Sequence, residues 1–242
     1  MNKKRIFLYL ILLLMIGVVI VGILDFNITF DTDQEKDEGI AIEDCGIVLD
    51  ERDGNRYETV DLGDQCWFVD NLQFDPGCSK RDWIEGEDVG WCGYHEEDED
   101  LEYGLLYQWS TTENDLCPQG WRVPTDEEFL EMEREVCEVF FGEDCDNDFS
   151  SKGYRGNAEG EILTSNDYCN GNDCQSIGFE AKMGGYRHSN GTFSYFGSDT
   201  FFWTKTEDNG QALGRNINTT MKKIRRENYP KSRAYSIRCI KS

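Results

Sequence analysis

The sequence predicts an α+β domain of short antiparallel strands around one main helix, behind an N-terminal transmembrane helix. Three observations carry that prediction. A strand pair with a tight turn comes early, one capped helix follows at mid-chain, and many short strands come after it. Ten cysteines, all beyond residue 44, make the domain a disulfide-stapled one.

Met1 to Arg5 form a basic flank ending in Lys3-Lys4-Arg5, and the 19 residues of 6–24 carry no charge. As a helix they would be about 28 Å long, which matches the hydrocarbon core of a bilayer. The basic flank belongs in the cytoplasm, so a single-pass anchor in the cell membrane sends the C-terminal domain outside. A cleaved signal peptide is the alternative reading. The run is long for that, and Asp25-Phe26-Asn27 offers no small-residue cleavage pattern. Both readings export the remainder. Residues 25–44 hold eight acids against one lysine and read as an acidic tether, which leaves 45–242 as the exported domain.

Within it, 57–62 and 66–72 read as strands joined by a turn at Gly63-Asp64. Pro124 sets an extended approach to Thr125-Asp126-Glu127-Glu128, a capping box that starts a helix. Phe129, Met132, Val136 and Phe140 recur at helical spacing as a core stripe, and Gly142 is the expected stop. Residues 142–176 are rich in Gly, Asn and Asp and read as a long loop. Asn190-Gly191 between 186–189 and 192–196 predicts a hairpin. Strands are expected over 201–206, 211–217 and 234–240.

The balance of 24 basic against 48 acidic residues, a formal charge of −24, excludes nucleic acid as a partner, because phosphate would be repelled. Charge is also uneven. Residues 205–242 carry ten basic and three acidic side chains, an excess of +7. That segment is expected to pack on acidic loops of the same domain, with a patch for anionic lipid or polysaccharide as the rival.

Export makes disulfides of Cys45, Cys66, Cys78, Cys92, Cys117, Cys137, Cys145, Cys169, Cys174 and Cys239. Short loops suggest Cys137 with Cys145 and Cys169 with Cys174. A zinc site is the rival, but no C-x-x-C pair occurs and neither histidine adjoins a cysteine pair. Calcium is the one candidate cofactor. Asp144, Asp146 and Asp148 alternate as at the start of a calcium loop, although Phe149 stands where such a loop turns at Gly and Arg155 where an acid should close it. Asp50, Asp53 and Asn55 form a weaker set and read as turn formers. The run from Glu96 to Asp100 reads as a solvated loop. His95, inside that acidic stretch, is expected to be exposed, and His188 to be a hairpin surface residue.

Asp53-Gly54-Asn55-Arg56-Tyr57-Glu58-Thr59-Val60, Gly63-Asp64-Gln65-Cys66-Trp67, Asn71-Leu72 and Tyr103-Gly104-Leu105-Leu106-Tyr107-Gln108-Trp109 follow one another in order. Cys117-Pro118-Gln119-Gly120-Trp121-Arg122-Val123-Pro124-Thr125 comes next, and Ser236-Ile237-Arg238-Cys239 closes the chain. Together these phrases resemble the Fibrobacter succinogenes major paralogous domain. Asp70 and Phe129 depart from it, where that family usually has Glu and Trp. The resemblance implies an exported or surface-attached bacterial scaffold with no established reaction, and a long-range bridge between Cys117 and Cys239. The Trp121 to Phe129 segment is also similar to a phrase of the formylglycine-generating, sulfatase-modifying family. That implies a C-type-lectin-like, sulfatase-modifying-factor-like fold. The reactive cysteine pair of those oxidases has no counterpart here, since only Cys239 follows Cys174.

The expected function is therefore binding or adhesion, with a glycan, an envelope component or a protein as ligand. The alternatives are an oxidase of the formylglycine-generating type and a purely architectural surface protein. Trp67, Trp109, Trp121 and Trp203 lie in the family phrases and are expected in the core, which leaves Trp83 and Trp91 as possible ligand contacts.

Overall fold

The computed structural model describes residues 45–98, 102–145, 148–168 and 175–242. The expected anchor and tether, Cys169, Cys174 and Asp146 lie outside the described residues. Among the described residues no helix is long and apolar enough to cross a membrane.

Three strands open the domain: β1 (Ile47–Leu49), β2 (Arg56–Leu62) and β3 (Gln65–Phe68). Short strands β4 (Cys92–Gly93), β5 (Leu106–Gln108) and β6 (Trp121–Arg122) lead to the main helix, α1 (Asp126–Phe141). Strand β7 (Gly153–Arg155) and a one-turn helix, α2 (Glu159–Ile162), occupy the stretch expected to be loop. Then come β8 (Gly184–Arg187), β9 (Phe193–Phe196), β10 (Asp199–Asp208), β11 (Gln211–Asn218), β12 (Ile224–Tyr229), β13 (Ala234–Tyr235) and β14 (Ile240–Lys241).

The strands form two sheets. The smaller runs β1-β2-β3-β14-β6, so the last strand lies between two early ones, with Ile240 opposite both Trp67 and Arg122. The larger runs β4-β5-β13-β8-β10-β11-β12-β7, with β9 hairpinned onto β8. Among the named strands pairing is antiparallel except between β8 and β10, which run parallel at Thr200 and Gly185; isolated parallel bridges also join Thr164 to Ala181 and Phe202 to Ser236. That departs from the antiparallel expectation, because β8 is joined by β9 on one side and re-approached by β10 in its own direction.

Helix α1 begins where its cap predicts. The Thr125 hydroxyl accepts the Glu128 N–H and the Glu128 carboxylate accepts the Thr125 N–H, so two otherwise orphaned donors are satisfied. Its stripe buries Phe129, Met132 and Val136 in one core cluster with Trp67, Phe179 and Phe202. The second cluster gathers Tyr57, Phe68, Tyr107, Trp203 and Tyr235 between the sheets. Trp67 and Trp203 are fully buried, as the family phrases lead one to expect.

Four disulfides staple the described residues: Cys45–Cys66, Cys78–Cys92, Cys117–Cys239 and Cys137–Cys145. Arg238, beside the third, has no carboxylate on its guanidinium among the described residues. It donates instead to the Asn71 side chain at 2.8 Å and to the carbonyls of Phe68, Phe179 and Glu180. Complete burial lowers its pKa to about 10, against the opposing charges of Asp70 and Glu180. The side chain thus locks the closing segment onto β3.

Candidate functional site

The β8–β9 hairpin is the element that collects exposed aromatic and cationic groups. Its turn is held by His188 N–H to the Thr192 carbonyl at 2.8 Å and Gly191 N–H to the His188 carbonyl at 2.8 Å. Gly191 has φ +86°, which its lack of a Cβ permits. Strand alternation then sends Arg187 to one face and Tyr186 and His188 to the other.

On the first face, the Arg187 guanidinium carbon lies 4.1 Å from the Trp83 ring centre, 4.3 Å from Trp91 and 5.0 Å from Phe193. Its Nε donates to the Gly191 carbonyl at 2.9 Å. Trp83 meets Trp91 edge to face at 5.3 Å and donates its indole N–H to the Ser189 carbonyl. Burial lowers the Arg187 pKa, against the charge of Glu96. The structure therefore brings Trp83 and Trp91 together but corrects their reading as a surface pair. Trp91 is 9% exposed and packs with Leu106 and Ala234, so only the half-buried Trp83 offers a ring.

His95 is corrected too. It is 3% exposed, with Phe193 and Phe196 rings each 4.9 Å away. Its Nδ1 accepts the Glu97 N–H, which puts the proton on Nε2, a buried nitrogen with no hydrogen-bond partner among the described residues. Burial lowers its pKa. The loop folds inward because Asp98 is also buried and its carboxylate accepts the N–H groups of Glu102 and Tyr103. His188, half-buried, sits against the Tyr186 hydroxyl.

Of the acidic candidates, Asp146 lies outside the described residues. Asp144 and Asp148 are exposed, and Asp148 accepts the Ser150 hydroxyl. Arg155, at the closing position of that sequence pattern, is buried and paired with Glu133. Asp50 is buried and chelates Arg52, while Asp53 accepts the Asn55 N–H; both form turns. Among the described residues one metal-type grouping occurs, Asp75 with Cys78 and Cys92. Its two sulfurs are bonded to each other, so no thiolate is available to a metal in this form.

Composition gave no warning of the ion network under β11 and β12. Arg215 donates to Glu133 and Asp126, Arg226 to Asp126, and Arg155 to Glu133. A signal existed for Glu133: it falls four residues after Phe129 and three before Val136, inside the apolar stripe of α1. The basic final segment is used in the same way, through Lys222–Glu161, Arg225–Glu227 and Lys231–Glu207 pairs. It packs on the domain's own acids.

Fold and site define a disulfide-stapled α+β domain with a cationic-aromatic hairpin. The chain belongs to the Fibrobacter succinogenes major domain family, whose model matches residues 60–241; that description names no reaction. Neither a curated protein nor a solved structure matches the chain.

Proposed function

We propose that the chain is an extracytoplasmic module, membrane-anchored through residues 6–24, that works by binding a surface glycan. The observation that supports binding most is Arg187. Its guanidinium is clasped by Trp83, Trp91 and Phe193, yet Nε alone has a protein hydrogen-bond partner among the described residues. A planar donor left open beside a half-exposed indole can receive sugar hydroxyls while a sugar face stacks on the ring. A chain of net charge −24 favours a neutral sugar at this place. The disulfides support an extracytoplasmic setting, where they persist.

The C-type-lectin-like scaffold belongs to the same proposal. Its support is the closing strand β14 seated between the early strands β3 and β6. The oxidase alternative loses support, because Cys239 is buried and bonded to Cys117.

A glycan array probed with the full chain and with Trp83→Ala tests the reading. Binding that is lost in the variant supports it, and binding unchanged in the variant removes Trp83 from it. Protease treatment of intact cells should release the domain; complete protection would place it on the wrong side of the membrane.

A further inference from the structure

We propose that the opposite face of the hairpin, built on Tyr195, His188 and Arg233, binds a sugar ring carrying a single carboxylate. Tyr195 is the starting observation. It is 55% exposed, and its φ of +64° is one that bulky L residues adopt only under constraint. By register it stands opposite Gly185, whose φ is +63°. A Cβ on Gly185 would lie 2.5 Å from the Ser194 carbonyl oxygen, so the paired distortion is built into both strands. Its result is an aromatic ring turned out of the sheet, parallel to Tyr186 within 10° and 5.8 Å from it. Glycine or asparagine would hold this backbone with less strain. The tyrosine ring is therefore there for what it touches.

Arg233 lies 5.4 Å from the same Tyr186 ring, and His188 lies 4.4 Å from it. Arg52, Arg122, Arg155, Arg215 and Arg226 all hold a carboxylate. Among the described residues the Arg233 side chain has one hydrogen-bond partner, the Tyr235 hydroxyl at 3.2 Å, and no ion pair; its other neighbours are the neutral Tyr186 and Tyr229 rings. The carboxylate that acts on Tyr186, Asp199, is held by the neutral donors Ser198 and Asn216 and makes no ion pair with Arg233 among the described residues. Arg233 is thus an unpaired cation among the described residues of a chain of net charge −24.

A guanidinium, an imidazole and an exposed aromatic ring that all meet the one Tyr186 ring match a pyranose with one acid group. The ring stacks on Tyr195, the carboxylate takes the Arg233 donors, and hydroxyls reach His188. The surrounding acidity repels a polyanion, so the charge must come singly, at the end of an otherwise neutral glycan. The proposal shares its ligand class with the reading above but uses the other side of β8.

Calorimetric titration of the full chain tests it with three probes: an oligosaccharide ending in glucuronic acid, the same oligosaccharide ending in glucose, and polygalacturonate. The uronate-ended probe should bind at least about tenfold more tightly than the other two. Tyr195→Gly should keep or raise the melting temperature yet weaken that binding about tenfold, and Arg233→Gln should abolish the preference for the acid. Trp83→Ala should leave it unchanged. Equal affinity for acidic and neutral probes, tightest binding to polygalacturonate, undiminished binding by Tyr195→Gly, or no binding of any probe would each overturn the proposal. Loss in Trp83→Ala with retention in Tyr195→Gly would overturn it while upholding the Arg187 face.

Discussion

Arg215 donates through Nε to Glu133 Oε1 at 2.6 Å, across 82 positions of sequence, with both side chains 1% exposed. The bond ties β11 to the middle of α1. Glu133 also receives Arg155 from β7, so one carboxylate is shared by two buried guanidinium groups, with Asp126 as the second partner of Arg215. Removing it with Glu133→Ala leaves Arg155 with no carboxylate among the described residues and Arg215 with Asp126 alone, in a dry interior. The expected cost is about 3–5 kcal/mol in denaturant unfolding. The exposed pair Arg134–Glu127, 3.4 Å apart on the same helix, should contribute less than about 1 kcal/mol. A Glu133→Ala loss no larger than that of Glu127→Ala would contradict this assignment.

Stability should fall with acid in two limbs. Burial holds His95 and His188 below their ordinary value of 6.5, with the Arg233 charge adding to the effect on His188. The unfolded chain therefore takes these protons first, so their contribution is present above pH 6.5 and is lost below it. Burial would raise Asp126 and Glu128, but hydrogen bonds from Arg226 to the first and Arg122 to the second outweigh it, and both lie below 3.8 and 4.5 respectively. Their contribution is lost as pH falls below those values. Melting temperature measured from pH 8 to pH 3 should decline first below 6.5 and again below 4.5. His95→Gln should shrink the first limb to the His188 share and leave the second.

Gly185→Ala should be among the most damaging small substitutions. Its Cβ would meet backbone atoms, the Ser194 oxygen at 2.5 Å and the Phe196 nitrogen at 2.8 Å, in addition to the His95 ring. Overpacking and the positive φ together predict a loss of about 2–4 kcal/mol. Gly197→Ala also sits at positive φ, +73°, but nothing lies near its Cβ; there only the backbone cost of about 1 kcal/mol is expected. Thermal melts of the two variants compare them directly.

Thiol titration in denaturant, without reductant, should find no free thiol. The eight described cysteines are all paired. A count of two would mean that Cys169 and Cys174 do not bridge.

What could be read from the sequence was what short-range chemistry determines. The α1 cap, its stripe and the Asn190-Gly191 hairpin each depend on residues within a few positions, and each stands where those residues place it. Strand β12 was not legible. Ile224-Arg225-Arg226-Glu227-Asn228-Tyr229 has no apolar alternation, and it is a strand because β11 and β7 pair with it on both sides. His95 was misread for a related reason. Its acidic neighbours suggest exposure, whereas the space it fills is made by Gly185, 90 residues further along the chain. Trp91 lost its surface role in the same way, to Phe193 and Ala234.

The place of β14 has a consequence for how the domain is made. Its partner β3 emerges early, yet the edge facing Trp67 stays open until Ile240 is synthesised. Cys117 likewise waits for Cys239, a separation of 122 residues. At cellular rates of synthesis the first of these gaps lasts on the order of ten to thirty seconds. During that interval the nascent chain offers an unpaired strand edge and an unmatched thiol. A holdase that binds extended segments, followed by an oxidant acting late, is what such an order of assembly calls for.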